Sequence, residues 1–235
     1  MDRQRAELRR IGELATPVAV IDDFTGEVEA AIDLAAALGP LPAAKGSLYP
    51  GLRRVITASD ADADAFVARS MELAAPYVAG AYGVDRFTLI EASFSMVTVP
   101  PEQLVPPQRA PHFDSTEPDH VALLLYLNLP WPTGTAFFRH RATSVERIDE
   151  ANVDRFVAAA RAEANLPDAA RGYVAGTNRW YDEIGAVEAA PDRMLIYPGG
   201  LLHSGMIPAD VALDPNPRTG RLTANFFIKL QRSDA

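Results

Sequence analysis

Apolar and polar positions along the chain fall into two regimes. Up to about residue 86 the pattern is mainly helical. Residues 27–38 (EVEAAIDLAAAL) and 60–81 (DADADAFVARSMELAAPYVAGA) have helical composition and apolar spacing, with Ser59 or Asp60 as the cap of the second and Pro76 as a place where it could break. A polar lead-in over 1–16 and a short strand with a turn over 18–24 (VAVIDDF) come before them. Residues 39–51, punctuated by Pro40, Pro42, Gly46, Pro50 and Gly51, read as a loop. From residue 87 the pattern turns to strands: 87–99 (FTLIEASFSMVTV), 121–129 (VALLLYLNL), 193–197 (RMLIY) and 221–230 (RLTANFFIKL). The last alternates with period two. Leu222, Ala224, Phe226, Ile228 and Leu230 share one face, and Arg221, Thr223, Asn225 and Phe227 share the other. A helix over 144–164 interrupts the strands. The predicted class is α+β, mainly β: a sandwich or barrel backed by N-terminal helices.

Composition narrows the chemistry. At 235 residues the chain suits one compact domain. A net charge of -9 gives no electrostatic footprint for nucleic-acid phosphates and no polybasic patch for an anionic membrane, which leaves a small-molecule partner. With no cysteine, disulfides, thiolate metal sites and cysteine nucleophiles are excluded, so a metal site must use histidines and carboxylates. No run is long enough for a membrane span, and the charged first ten residues lack the apolar core of a signal peptide, so a cytoplasmic location is expected.

Four histidines are present: His112, His120, His140 and His203. In Pro111-His112-Phe113-Asp114 a histidine and a carboxylate two apart share one face of an extended segment, so both can reach one ion. His203 follows a strand and a turn with Gly199 and Gly200 and is the best third ligand, since the glycines permit close backbone approach. A 2-His-1-carboxylate set leaves an open face on iron(II) for oxygen and a co-substrate. HxD alone recurs by chance. What strengthens it is Arg221, whose donor fork suits a carboxylate, opening the alternating strand, and Tyr126, whose hydroxyl lies in an otherwise apolar strand. His120 and His140 have no carboxylate at this spacing and are expected to be structural or surface residues.

The order of His112-Phe113-Asp114, Leu125-Tyr126-Leu127-Asn128, Gly134-Thr135-Ala136-Phe137-Phe138, Asp192-Arg193-Met194-Leu195-Ile196-Tyr197, His203 and Gly220-Arg221-Leu222-Thr223 resembles the iron(II)- and 2-oxoglutarate-dependent dioxygenases, in particular their prolyl-hydroxylase-like branch. The resemblance implies a double-stranded β-helix (jelly-roll, cupin-like) over 87–232, a helical support region over 1–86 and an insertion at about 139–190 that could be a lid or a homodimer contact. It implies iron(II) on His112, Asp114 and His203, and 2-oxoglutarate on Arg221, Tyr126 and Thr223, with O2 as oxidant. Arg218 is a rival to Arg221, because the 18 residues from His203 to Arg221 are more than the family suggests. A carboxylate at Asp114, where halogenating members have a small residue, implies hydroxylation. The substrate is expected to be an amino acid or a carboxylated metabolite, with Arg109, Arg139 and Trp180 as pocket candidates beside Arg141 and Tyr181. Two other readings stay open: a cupin-like metalloenzyme without 2-oxoglutarate, and a non-catalytic small-molecule-binding barrel.

Overall fold

The computed structural model describes residues 5–44, 48–166 and 171–231. Two antiparallel sheets carry the fold. The larger has seven strands, built from β1 (Ala6–Ile11), β2 (Thr16–Ile21), β3 (Gly51–Val55), β4 (Arg86–Val97), β5 (His120–Asn128), β8 (Met194–Pro198) and β10 (Leu222–Gln231), in the order β1-β2-β8-β5-β10-β4-β3. The smaller has β6 (Gly134–His140), β7 (Tyr181–Glu188) and β9 (His203–Gly205), in the order β7-β6-β9. The helices are α1 (Val28–Ala37), α2 (Ala61–Tyr82) and α3 (Val153–Ala164). The sheets do not close into a continuous barrel.

The larger sheet has two unlike faces. Its outer face is apolar: Ala92, Phe94 and Met96 of β4, Leu123, Leu125 and Leu127 of β5, and Leu222, Ala224, Phe226 and Ile228 of β10 are buried in one cluster with α1 and α2. Helix α2 contributes Ala63, Phe66, Val67, Ser70, Ala74 and Val78, spaced three or four apart on one stripe. Phe66 stacks on Phe94 with centroids 6.1 Å apart. On the inner face, Val18, Val20, Ala122, Tyr126, Leu195 and Tyr197 meet Phe137 and Val187 of the smaller sheet. That contact covers β1, β2, β8 and β5 and reaches Phe227 of β10; otherwise the inner face of β10, β4 and β3 carries the polar side chains of Thr223, Asn225, Ser93, Ser95 and Arg53.

The alternation predicted for the last strand is present from Leu222. The support region over 1–86 is not purely helical, because β1, β2 and β3 all join the larger sheet. Residues 6–11 pair as a strand although they were expected in the polar lead-in, whose first four residues lie outside the described ones. β1 is an edge strand with mostly exposed side chains, so it needs little apolar sequence. Gly46 of the expected loop also lies outside the described residues. α2 passes through Pro76 without ending and stops at Gly83, which takes the left-handed conformation (φ 66°). Asp60 sits at its start, but its carboxylate accepts from Thr57 and pairs with Arg54 rather than capping the helix. The third helix starts at Val153 rather than 144, since residues 145 and 147 make strand-like bridges to His140 and Leu201. The inserted segment lies between β6 and β7, so it is narrower than 139–190. Among the described residues no helix is long and apolar enough to cross a membrane.

Phe94→Ala is expected to cost ~3–5 kcal/mol in urea denaturation, because the ring is fully buried against Phe66. Ile90→Ala, half exposed on the same strand, should shift stability by no more than ~0.5 kcal/mol.

Candidate metal centre

His112 and His203 are joined by backbone. The N–H of each donates to the carbonyl of the other, both at 2.9 Å, in an antiparallel bridge that extends the smaller sheet by one residue beyond β9. Their ring centroids are 4.2 Å apart. Asp114 is fixed by its own N–H donating to the Gly199 carbonyl at 2.7 Å. Gly199 and Gly200 are needed for the approach expected of them. A Cβ on Gly199 would lie 2.3 Å from the His120 ring, and one on Gly200 would lie 2.4 Å from the Ile148 carbonyl. The turn is therefore clamped between the ligand loop and the inserted segment.

The three side chains converge. One ligand atom from each of His112, Asp114 and His203 lies within 4.8 Å of the others. His112 Nε2 is 3.8 Å from Asp114 Oδ1, and His203 Nε2 is 3.7 Å from Asp114 Oδ2. These distances are too long for hydrogen bonds, and Asp114 Oδ2 is buried with no partner. His203 is buried and its Nδ1 meets the Leu201 carbonyl at 2.8 Å, which leaves Nε2 to face the carboxylate. A buried orphan oxygen between two imidazole nitrogens fits a cation and fits little else the chain offers.

Burial pushes the His203 imidazole down to about 4. Desolvation by the surrounding atoms and repulsion from His203 push the half-exposed His112 ring the same way. Burial pushes the Asp114 carboxyl up, against the attraction of His112, His120 and Arg53. At neutral pH both rings are neutral, which is the form that ligates a metal.

Arg221 is buried at the start of β10. Its Nε donates to Thr133 Oγ1 at 3.1 Å, and its guanidinium carbon lies 5.7 Å from the centre of the Tyr126 ring. Among the described residues no carboxylate is paired with it. The Tyr126 hydroxyl shares a 2.6 Å hydrogen bond with Thr135, and Thr223 follows on the same inner face. Tyr197, which the sequence did not single out, packs against His203 with centroids 4.8 Å apart and is near enough to Asp114 and Arg221 to feel both charges. Arg218, the rival, is exposed and paired with Asp33 of α1.

The substrate candidates are not gathered at the triad. Arg139 is held by Glu13 and Asp182. Arg109 donates to the Leu104 carbonyl, and with Trp180 and Tyr181 it lines a shallow cleft against α3. Arg141 pairs with Asp182 at 2.6 Å. His140 is fully buried between Thr143 and Glu163 and latches α3 to β6, a structural role. His120 lies closer to the site than expected: its ring packs on Phe227 at 5.2 Å and its charge is felt at Asp114. Arg53 and Tyr49 also reach this face, one acting on Asp114 and the other on Thr223 and Arg221.

Iron(II) affinity should be nearly constant from pH about 7.5 to about 5.5 and fall steeply below about 4.5, because protons compete only near the lowered imidazole values. Dialysis against graded pH with metal analysis checks this. A loss centred near pH 6.5, the ordinary imidazole value, would show that burial does not lower these rings, and an affinity that stays flat below pH about 4 would show that they are not the ligands. The metal-free fold follows the same sign. The unfolded chain binds the His203 proton more tightly than the folded one, so stability present at neutral pH is lost as pH falls from about 6.5 to about 4.

Solved structures with the same architecture carry metals. HygX from Streptomyces hygroscopicus with nickel and 2-oxoglutarate bound is 16% identical, with 92% of this chain and 84% of that chain covered and a TM-score of 0.54. HygX with iron bound is 13% identical, covering 92% and 83%, with a TM-score of 0.51. EctD from S. alaskensis with bound Fe is 12% identical, covering 96% and 84%, with a TM-score of 0.50. At these identities the likeness is one of fold, the double-stranded β-helix. No curated protein matches the sequence. A family model does match, over residues 2–228, and the chain therefore belongs to a family of unknown function, DUF6445.

Proposed function

We propose that this protein is an iron(II)- and 2-oxoglutarate-dependent oxygenase that hydroxylates a small molecule, an amino acid or a carboxylated metabolite. The observation that carries the reading is a pair of unmet charges, both felt by Tyr197. Asp114 has a buried oxygen with no partner, and Arg221 is a buried guanidinium, each without a counter-ion among the described residues. A buried ion without a counter-ion is costly, so a site that keeps both is built for ligands that supply them. A cation answers the first, and a carboxylate answers the second. 2-Oxoglutarate has a carboxylate at each end, so one molecule can chelate the cation and meet the arginine. HygX, similar in fold, is described with nickel and 2-oxoglutarate bound.

His112, Asp114 and His203 would hold the iron, which with 2-oxoglutarate and O2 supplies oxidation of a C–H bond. The chain's own work is positional. Arg221 takes the far carboxylate in its donor fork, with Thr133 fixing Nε and the Tyr126–Thr135 pair beside it. Thr223 lies next along the strand. Tyr197, buried against His203, shields that ligand's inner side from water. Asp114 keeps a coordination position that a halide would need, which favours hydroxylation.

Anaerobic addition of iron(II) and 2-oxoglutarate should give a visible charge-transfer band, absent in His112→Ala. Arg221→Ala should weaken 2-oxoglutarate about 100-fold, the scale of a buried charge-assisted pair, while Arg218→Ala leaves it unchanged. Iron binding without any band in the wild type would defeat the co-substrate assignment.

A further inference from the structure

The polar face of β10 continues across the sheet. On β4, Ser95 stands opposite Thr223, Ser93 opposite Asn225 and Glu91 opposite Phe227; on β3, Arg53 stands opposite Ser95. The Arg53 guanidinium pairs with Glu91, donates to Ser93 Oγ at 3.2 Å, and lies 5.8 Å from the centre of the Phe227 ring. Its charge acts on the Asp114 carboxyl. Arg221 and Tyr126 lie at the Thr223 end of the strand. Arg53, Glu91 and Phe227 lie toward the other end, where His120 packs on Phe227.

Packing does not call for this pair. The opposite faces of β4 and β10 are apolar and sealed by the helices, whereas Arg53 and Glu91 keep 21% and 32% of their side-chain surface open to solvent. The face also holds unused capacity: Ser95 is buried and its Oγ makes no hydrogen bond.

We infer that Arg53 and Glu91 are the substrate-recognition pair of this site, and that the substrate is a free amino acid, its carboxylate taken by Arg53 and its ammonium by Glu91. Charge balance selects this class. A zwitterion replaces one internal ion pair by two and leaves nothing unpaired. A simple carboxylate would take Arg53 and strand Glu91, and a simple amine would do the reverse. Phe227 gives the remainder of the molecule an apolar floor. The inference rests on the oxygenase reading for the site's chemistry but not for the binding itself.

The test uses the twenty standard L-amino acids, with their methyl esters and N-acetyl forms, against wild type, Arg53→Leu, Arg53→Lys and Glu91→Gln. Ligand-observed NMR on the metal-free protein reads binding. Succinate formation on the iron- and 2-oxoglutarate-loaded protein reads turnover, and the visible band reads cofactor assembly. At least one free amino acid should bind and raise succinate formation tenfold or more, while its ester and N-acetyl form do neither. Arg53→Leu should raise KM about 100-fold with a smaller change in kcat, partly rescued in Arg53→Lys, and the variants should keep the band. The pair is overturned if no free amino acid binds, if esters or N-acetyl forms serve equally well, or if Arg53→Leu leaves binding unchanged. Amino-acid binding that depends on Arg53 in a protein without the band would keep the pair and remove the oxygenase reading.

Discussion

The double hydrogen bond between the backbones of His112 and His203 is the constraint on which the site depends. It brings two ligands far apart in sequence into register and sets their rings face to tilted face. Asp114 is then placed by one further backbone bond to Gly199, and Gly199 by its contact with His120. No ligand is positioned by its side chain alone. Nε2 of each histidine and the orphaned Oδ2 of Asp114 thus stay free to meet an ion.

The larger sheet answers the same need differently. One side of β4 and β10 faces α1 and α2 and is uniformly apolar; the other carries arginines, serines, threonine and asparagine. Period-two alternation makes both possible in one strand. The outer face supplies the hydrophobic free energy that lets the inner face hold a buried guanidinium and a partly buried ion pair, neither of which stabilises the fold without a ligand.

Much of this was legible in the sequence. The alternation after residue 221 showed which side of the last strand faces a polar space, and His112, Asp114 and His203 do come together. Short or edge strands were not legible. β1 and β3 are rich in arginine, and β9 has three residues, so none carries a periodic signal. Arg53 was invisible for the same reason: its place beside Phe227 and Glu91 follows from β3 pairing with β4, a contact that nothing local encodes. Arg109, Arg139 and Trp180 were expected as anchors because an arginine near the metal suits a carboxylated substrate. Arg139 is instead paired with Glu13, and Arg109 and Trp180 line a separate cleft.

The division of labour between the sheets has a mechanical side. The two candidate histidine ligands belong to the three-stranded sheet and its one-residue extension, whereas Arg221 immediately precedes β10 of the seven-stranded one. The two meet in an open arrangement, with no hydrogen-bonded strand running between them. A molecule held at one end by the triad and at the other by Arg221, as proposed, would tie them together as a removable staple. Occupancy then becomes a component of folding stability, growing as RT ln(1 + [L]/Kd) to about 2.7 kcal/mol at a hundredfold excess over Kd. That term would add to the buried cluster of Tyr126, Tyr197, Phe137 and Val187, which already holds the two sheets together.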